Sequence, residues 1–298
     1  MPALDQIGLR VPTLYTETAE SATPLFDGHA TLMNSLAGST VKVGDPGWTG
    51  SSDATQSPIL WGDPPFNDQN QGLYFMTNSI TLQPDATYGT VYKYEIGPGD
   101  TNPYFDQPTK PNGELTVSRP ISMGQYDWYA EAFKIVSPYT MLSGGFNVVC
   151  QYGYPALFSP PLSISFDSNG LGIDRHVGIV PVGGGSVTYT LKPRFYTVAS
   201  VLDKWVEMVI GVKWAVDTNG EIYVYSRIKA NGETVFSLQY VDFDHPTNQR
   251  TDGEPVLTIM NDKQSLYFGT DAAPPTNTLL HRGFTRWDNQ ADAIASMG

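Results

Sequence analysis

The chain has 298 residues, with 17 Lys and Arg against 30 Asp and Glu, a formal net charge of −13 that argues against nucleic acid as a partner because such binding rests on cationic neutralisation of phosphates. The lone cysteine, Cys150, excludes an intrachain disulfide framework and a cysteine-based metal cluster. With only 16% charged residues, 12% aromatics, 29 Gly and 23 Pro, the composition describes a strand-rich globular protein and not a disordered one.

No stretch approaches the roughly 20 apolar residues of a membrane span. Met1 to Gln6 lack the basic start and apolar core of a signal peptide. From the N-terminus, residues 30–36 form the first short helical candidate. Two irregular runs follow, one from Gly44 to Asp53 and one from Gly62 to Asp68. Long loops of this kind carry interaction surfaces. Short apolar runs bounded by Gly, Pro, Asn and Asp then recur at 72–80, 87–96, 125–133, 146–151, 162–166, 186–191, 206–216, 221–228 and 265–268. Residues 97–113 and 242–254 read as irregular. Residues 198–203 and 289–297 are the remaining helical candidates. This spacing predicts an all-β sandwich of jelly-roll type with few short helices. No linker divides it, so residues 1–298 are expected to form one domain, with a loop-rich part over 1–84 packed on it.

The strongest local signal is the hairpin 206–216 and 221–228 around Asp217-Thr218-Asn219-Gly220, where Asn-Gly suits a tight turn. A two- or four-residue turn places Ile210, Val212 and Trp214 on one face with Tyr223, Tyr225 and Arg227. Gly211, Lys213 and Ala215 then share the other face with Ile222, Val224 and Ser226.

Several segments resemble, in order, the jelly-roll polysaccharide lyases of the alginate, glucuronan and heparin-lyase-like families. Tyr92-Lys-Tyr-Glu-Ile-Gly-Pro-Gly-Asp100 is similar to their early strand and its turn. Asn112-Gly-Glu-Leu115 is similar to their Arg-x-Glu-Leu strand, and 124–133 to the aromatic strand that follows. Val148-Val-Cys-Gln-Tyr-Gly153, followed by Ser159-Pro-Pro-Leu-Ser-Ile164, resembles a Gln-x-His strand and its successor. Lys204 to Val224 resembles the Lys-Trp-His and Val-Lys-Trp strands. Leu266-Tyr-Phe-Gly-Thr-Asp271 lies where the family has a strand ending Gly-x-Tyr.

The resemblance implies a concanavalin-like fold and a glycan cleft on a concave sheet. A lyase needs a base, an acid and a donor that neutralises the uronate carboxylate. In the family these are the Arg, the Gln and His, and the Tyr of the quoted motifs. Here the matched positions read Asn112, Gln151, Gly153 and Asp271, so only Gln151 keeps the required chemistry. The expectation is therefore no catalytic residue, with glycan-binding candidates Tyr129, Gln151, Tyr152, Tyr154 and Tyr267. Tyr126 and Trp128 belong to the same aromatic set, since rings stack on sugar faces.

Other constellations are weaker. His29, His176, His245 and His281 lack zinc-binding spacing, so no metal and no cofactor is expected; structural calcium is compatible with the fold class but is assigned to no residue. Asp174-Arg175-His176 reads as a polar strand end. Asp127 and Glu131, on one strand face, read as solvated carboxylates, with Glu114 and Glu207 on strands of their own. Arg175, Lys192, Arg194, Lys213 and Arg227 are the cations available for a basic cleft.

Together these readings favour a non-enzymatic lyase-like jelly roll that binds glycan or neighbouring protein subunits, extracellular or on a virion, where an oligomer is compatible. Lyase-like jelly rolls recur as bacteriophage tail or capsid-decorating proteins. An active polysaccharide lyase is the first alternative and a glycoside hydrolase of the same sandwich class the second.

Overall fold

The computed structural model describes residues 26–27, 73–75, 80–98, 112–141, 145–153, 160–177, 189–229, 232, 234–243, 259–268 and 276–298. Its strands are β1 (Phe26–Asp27), β2 (Leu73–Phe75), β3 (Ile80–Asp85), β4 (Gly89–Ile96), β5 (Asn112–Pro120), β6 (Tyr126–Val136), β7 (Phe146–Gly153) and β8 (Leu162–Asp167). They continue with β9 (Gly170–Val177), β10 (Tyr189–Leu191), β11 (Arg194–Tyr196), β12 (Trp205–Lys213), β13 (Glu221–Ile228), β14 (Ser237–Phe243), β15 (Ile259–Phe268) and β16 (Asn277–Trp287). Two short helices complete the described chain, α1 (Val198–Val201) and α2 (Gln290–Ala295).

The strands form two antiparallel sheets. The first runs β14-β13-β12-β6-β16-β4-β3, with β1 paired to β16. The second runs β10-β9-β8-β7-β15-β5-β2, with β11 paired to β9. Connections that pass repeatedly between sheets are the jelly-roll pattern. The described pieces of residues 1–84 add β1, β2 and most of β3 to these sheets; the helix expected at 30–36 and both irregular runs before residue 70 lie outside the described residues.

Alternation in the sequence explains the packing. Tyr129, Phe133 and Ile135 of β6 face Val149, Tyr152, Ile164 and Phe166 of the second sheet in one buried core. Trp128, Ala130 and Ala132 point the other way and form a second cluster with Trp205, Val209, Tyr223 and Trp287, capped by Ala293 and Met297 at α2. Strands of the first sheet are therefore apolar on both faces. Asn289 caps α2 by accepting from the Asp292 amide at 2.9 Å.

The β12–β13 hairpin is present, but with the opposite pairing to that expected. Ile210 faces Val224 and Val212 faces Ile222, whereas Tyr223 faces Gly211. The connection is 214–220, an odd number of residues, and an odd connection reverses the parity that a two- or four-residue turn would give. Trp214 has already left the strand. It is fully buried, and its indole donates to Asp127 at 2.6 Å.

Of the described strands, β1, β11, β14 and β16 lie outside every strand-like segment read from the sequence, β3 meets one only at Ile80, and β9 was read only as the polar strand end at 174–176. The longest, β16, carries a bulge between His281 and Gly283, where Gly283 takes φ 105°.

Candidate functional site

The second sheet carries the residues that the lyase resemblance singles out. Its face turned away from the core is built around one row of cross-strand neighbours, in which Gln151 of β7 pairs with Ser163 of β8, and Ser163 with Asp174 of β9. On its other side Gln151 pairs with Lys263 of β15. Leu162, Ile164 and Phe166 of β8 enter the core, so the alternation Leu-Ser-Ile-Ser-Phe turns Ser163 and Ser165 to the opposite face.

Arg194 organises the end of this row. Its guanidinium donates to Asp174 at 2.8 Å, to Asp167 at 2.9 Å and to the Ile173 carbonyl at 2.7 Å. It reaches them because β10 and β11 are two short pieces of an edge strand interrupted at Lys192-Pro193, and β11 presses closely on β9. A Cβ on Gly172 would lie 2.0 Å from the Pro193 carbonyl oxygen, so only glycine admits this approach. Lys192 stands 3.7 Å from Asp174 and is half exposed. Burial alone would lower the Arg194 pKa, but the two carboxylates outweigh it and hold the guanidinium charged. Burial likewise pushes the Asp167 carboxyl up, and Arg194, the Asn169 amide and Lys192 overcome that and hold it below its ordinary value.

His176 lies two residues beyond Asp174 on the same face of β9. Burial pushes its imidazole below the ordinary value, against the opposing pull of the Pro160 backbone and Asp174. Its Nδ1 is buried and has no hydrogen-bond partner among the described residues.

The sequence-matched positions separate in space. Gln151 is partly exposed on the outer face, and Gly153 ends β7 opposite Asn261. Asn112 pairs with Tyr267, and Tyr267 pairs with Val148. Thr116, not Asn112, is level with Lys263 and Gln151. The four residue steps from Lys263 to Tyr267 span about 13 Å of strand, so Asn112 and Gln151 do not meet at one sugar ring. Tyr154 and Asp271 lie outside the described residues.

Two of the aromatic candidates are corrected outright. Tyr129 and Tyr152 do come together, with ring centroids 4.2 Å apart, but inside the sandwich, at 0% and 1% exposure. Adjacent residues of a strand point to opposite faces, so Gln151 and Tyr152 cannot line one groove. Tyr126 and Trp128 sit on the far face of the other sheet, against Tyr223.

The carboxylates and cations are also rearranged. Asp127 is buried and bound by Arg286 and the Trp214 indole, and Glu131 is fully buried in the core, so neither is a solvated strand carboxylate. Glu207 is buried against Arg227 and Lys229. Of the five cations proposed for a cleft, only Lys192 and Arg194 are neighbours on the outer face. Arg175 enters the core, and Lys213 and Arg227 belong to the first sheet. Ser163 was missed by sequence reasoning, and Arg194 was named only as a cleft cation, without its carboxylate partners Asp167 and Asp174. The alternation of β8 signals Ser163, whereas Arg194 depends on the non-local pairing of β11 with β9.

No protein-family model and no curated protein sequence matches the chain. Among solved structures, endo-β-1,4-glucuronan lyase from the fungus Trichoderma reesei superposes with a TM-score of 0.50 at 13% identity, covering 76% of this chain and 90% of that one. The PL-14 alginate lyase from Aplysia kurodai gives a TM-score of 0.46 at 12% identity, covering 71% of this chain and 88% of that one. The family 7 alginate lyase A1-II′ gives 0.45 at 12% identity, with 70% and 83% covered. Two antiparallel sheets in this order, matched over most of the glucuronan lyase, give the chain the jelly-roll sandwich fold of the polysaccharide lyases.

Proposed function

We propose that the chain is a lyase-like jelly roll that binds a glycan on the outer face of the second sheet and does not cleave it. One observation carries this reading: the two cations at the described end of that face are already committed to carboxylates. Arg194 is held by Asp167 and Asp174, and Lys192 approaches Asp174. Asp167 and Asp174 offset Arg194 and Lys192 charge for charge. Elimination from a uronate needs an uncommitted donor to neutralise its carboxylate while a base removes the adjacent proton. In the row Gln151-Ser163-Asp174, Ser163 and Asp174 are buried, and the partly exposed Gln151 offers an amide of the kind that holds neutral sugar hydroxyls. An extracellular or virion-borne setting, with neighbouring subunits as additional partners, is part of the proposal. Its support is the departure of the matched catalytic positions from the lyase pattern and the loop-rich composition.

A second reading, β-elimination, is favoured by His176. An imidazole held neutral by burial, with a buried Nδ1 lacking a partner among the described residues, is in the form a general base requires.

Incubation with alginate, glucuronan and heparin-type chains separates the two. Retention of a glycan in a pull-down or calorimetric titration, with no rise in unsaturated-uronate absorbance, supports binding alone. Product formation that disappears in His176→Ala or Gln151→Ala would establish the enzyme. Absence of both retention and product on a broad glycan panel would sink the glycan reading.

A further inference from the structure

Opposite Gln151, on the core side of β7, the sandwich encloses a polar cluster that the outer face does not use. Glu131 of β6, Cys150 and Tyr152 of β7 and His281 of β16 have exposures of 0%, 1%, 1% and 0%. Tyr152 donates its hydroxyl proton to one Glu131 oxygen at 2.5 Å, and the Cys150 thiol donates to the other. One ligand atom each from Glu131, Cys150 and His281 lies within 4.8 Å of the other two.

The backbone aims these groups deliberately. In β7 the register shifts between Val148 and Cys150, so Val149 and Cys150 both enter the core. In β16 the shift between His281 and Gly283 lets His281 and Phe284, three residues apart, both point inward. Bulges re-aim side chains in this way, and here one in each sheet directs a ligand-type residue at the same carboxylate. The surroundings are aromatic, with the His281 ring 5.0 Å from Tyr94 and 6.1 Å from Phe133.

We propose that Glu131, Cys150 and His281 form a buried transition-metal site with three protein ligands, with zinc as the ion. A thiolate and an imidazole select zinc over calcium or magnesium, which take oxygen ligands. Binding replaces the Cys150 S–H bond by a sulfur–metal bond and releases that proton to solvent. The ion's two positive charges are then balanced by the thiolate and the carboxylate, so the cluster passes from the single negative charge of Glu131 to neutral. Tyr152 keeps its hydrogen bond to the other carboxylate oxygen and orients the ligand, as outer-shell partners of metal sites do. Water completes a tetrahedral set. At zinc–ligand distances of about 2.0–2.3 Å the tetrahedral edge is about 3.5 Å, so binding draws the three atoms inward by roughly 1 Å at most. Because all three ligands are sealed inside the sandwich, the ion enters as the chain folds.

The test refolds the full chain from denaturant under reducing conditions with Co²⁺, then removes excess metal by gel filtration. The expected result is one cobalt per chain, with thiolate-to-cobalt charge-transfer absorption that zinc abolishes and Cys150→Ser eliminates. X-ray absorption at the zinc edge of the unmutated, zinc-refolded protein should show one sulfur neighbour at about 2.3 Å with lighter neighbours at about 2.0–2.1 Å. That second measurement decides the matter even where the Ser variant does not fold. Refolded protein that retains no metal above the buffer blank, or a bound ion with oxygen and nitrogen neighbours only, would overturn the proposal.

Discussion

Arg175 of the second sheet reaches through the core and donates to Asp242 of the first at 3.0 Å, with the guanidinium at 0% and the carboxylate at 8% exposure. It also donates to the carbonyls of Pro161 and His176. The sandwich is thus tied across its interior by an ion pair at β9 and β14, beyond the apolar contacts. Removing one member of such a pair leaves a buried charge without its partner. Arg175→Met should therefore cost about 3–5 kcal/mol in urea unfolding. The double variant Arg175→Met/Asp242→Leu should lose markedly less than the sum of the two single changes, which a double-mutant cycle would reveal.

Trp128 lies flat over Gly211 on the face beneath α2. A Cβ at Gly211 would stand 2.6 Å from the indole ring, and the ring itself is almost fully buried. Gly211→Ala should cost about 1–3 kcal/mol through overpacking, read as a lower unfolding midpoint with a shift in tryptophan emission. An unchanged midpoint would mean that the ring moves aside freely.

Acid should weaken the edge of the second sheet. The Asp167 carboxyl has its folded pKa depressed, chiefly because Arg194 and its other partners outweigh the effect of burial. A depressed value means that its contribution is complete above the unfolded pKa of about 3.9 and is lost as pH falls through the folded value. Stability measured by urea midpoint should fall below about pH 4. Asp167→Asn should be less stable at neutral pH and show a shallower acid dependence.

On the proposed binding face, Gln151→Ala should weaken glycan retention by about 0.5–1.5 kcal/mol, roughly two- to tenfold, without altering the fold. Tyr152→Phe provides the contrast. It removes the buried hydrogen bond to Glu131 and should lower stability by about 1–3 kcal/mol while leaving retention unchanged. Equal losses of retention in the two variants would contradict the opposite orientation of residues 151 and 152.

The jelly roll was legible because its strands are short, apolar and bounded by turn formers, and because the lyase-like segments occur in order. The elements that escaped were those whose patterns are broken for a structural reason. β16 carries its bulge at Gly283 and the charged Arg282 and Arg286, so alternation fails along it. β9 reads as polar because Arg175 is buried by pairing with Asp242, not by being apolar. In the site, Gln151 was found from the motif, but its neighbours were not. Which residue stands level with it depends on strand register, and that is set by contacts far apart in sequence. The cluster around Glu131 was invisible for the same reason, since its members come from three strands and obey no spacing rule.

The interruption of the outermost strand at Pro193 bears on how this molecule keeps company. Long, unbroken sheet margins invite another chain to zip alongside, which is the route to runaway association. β10 and β11 are three residues each and step out of line with one another, and proline supplies no amide proton at the join. An incoming strand finds no continuous partner there. At this margin the fold is guarded against unwanted polymerisation, and crowded copies would have to meet through side-chain surfaces instead.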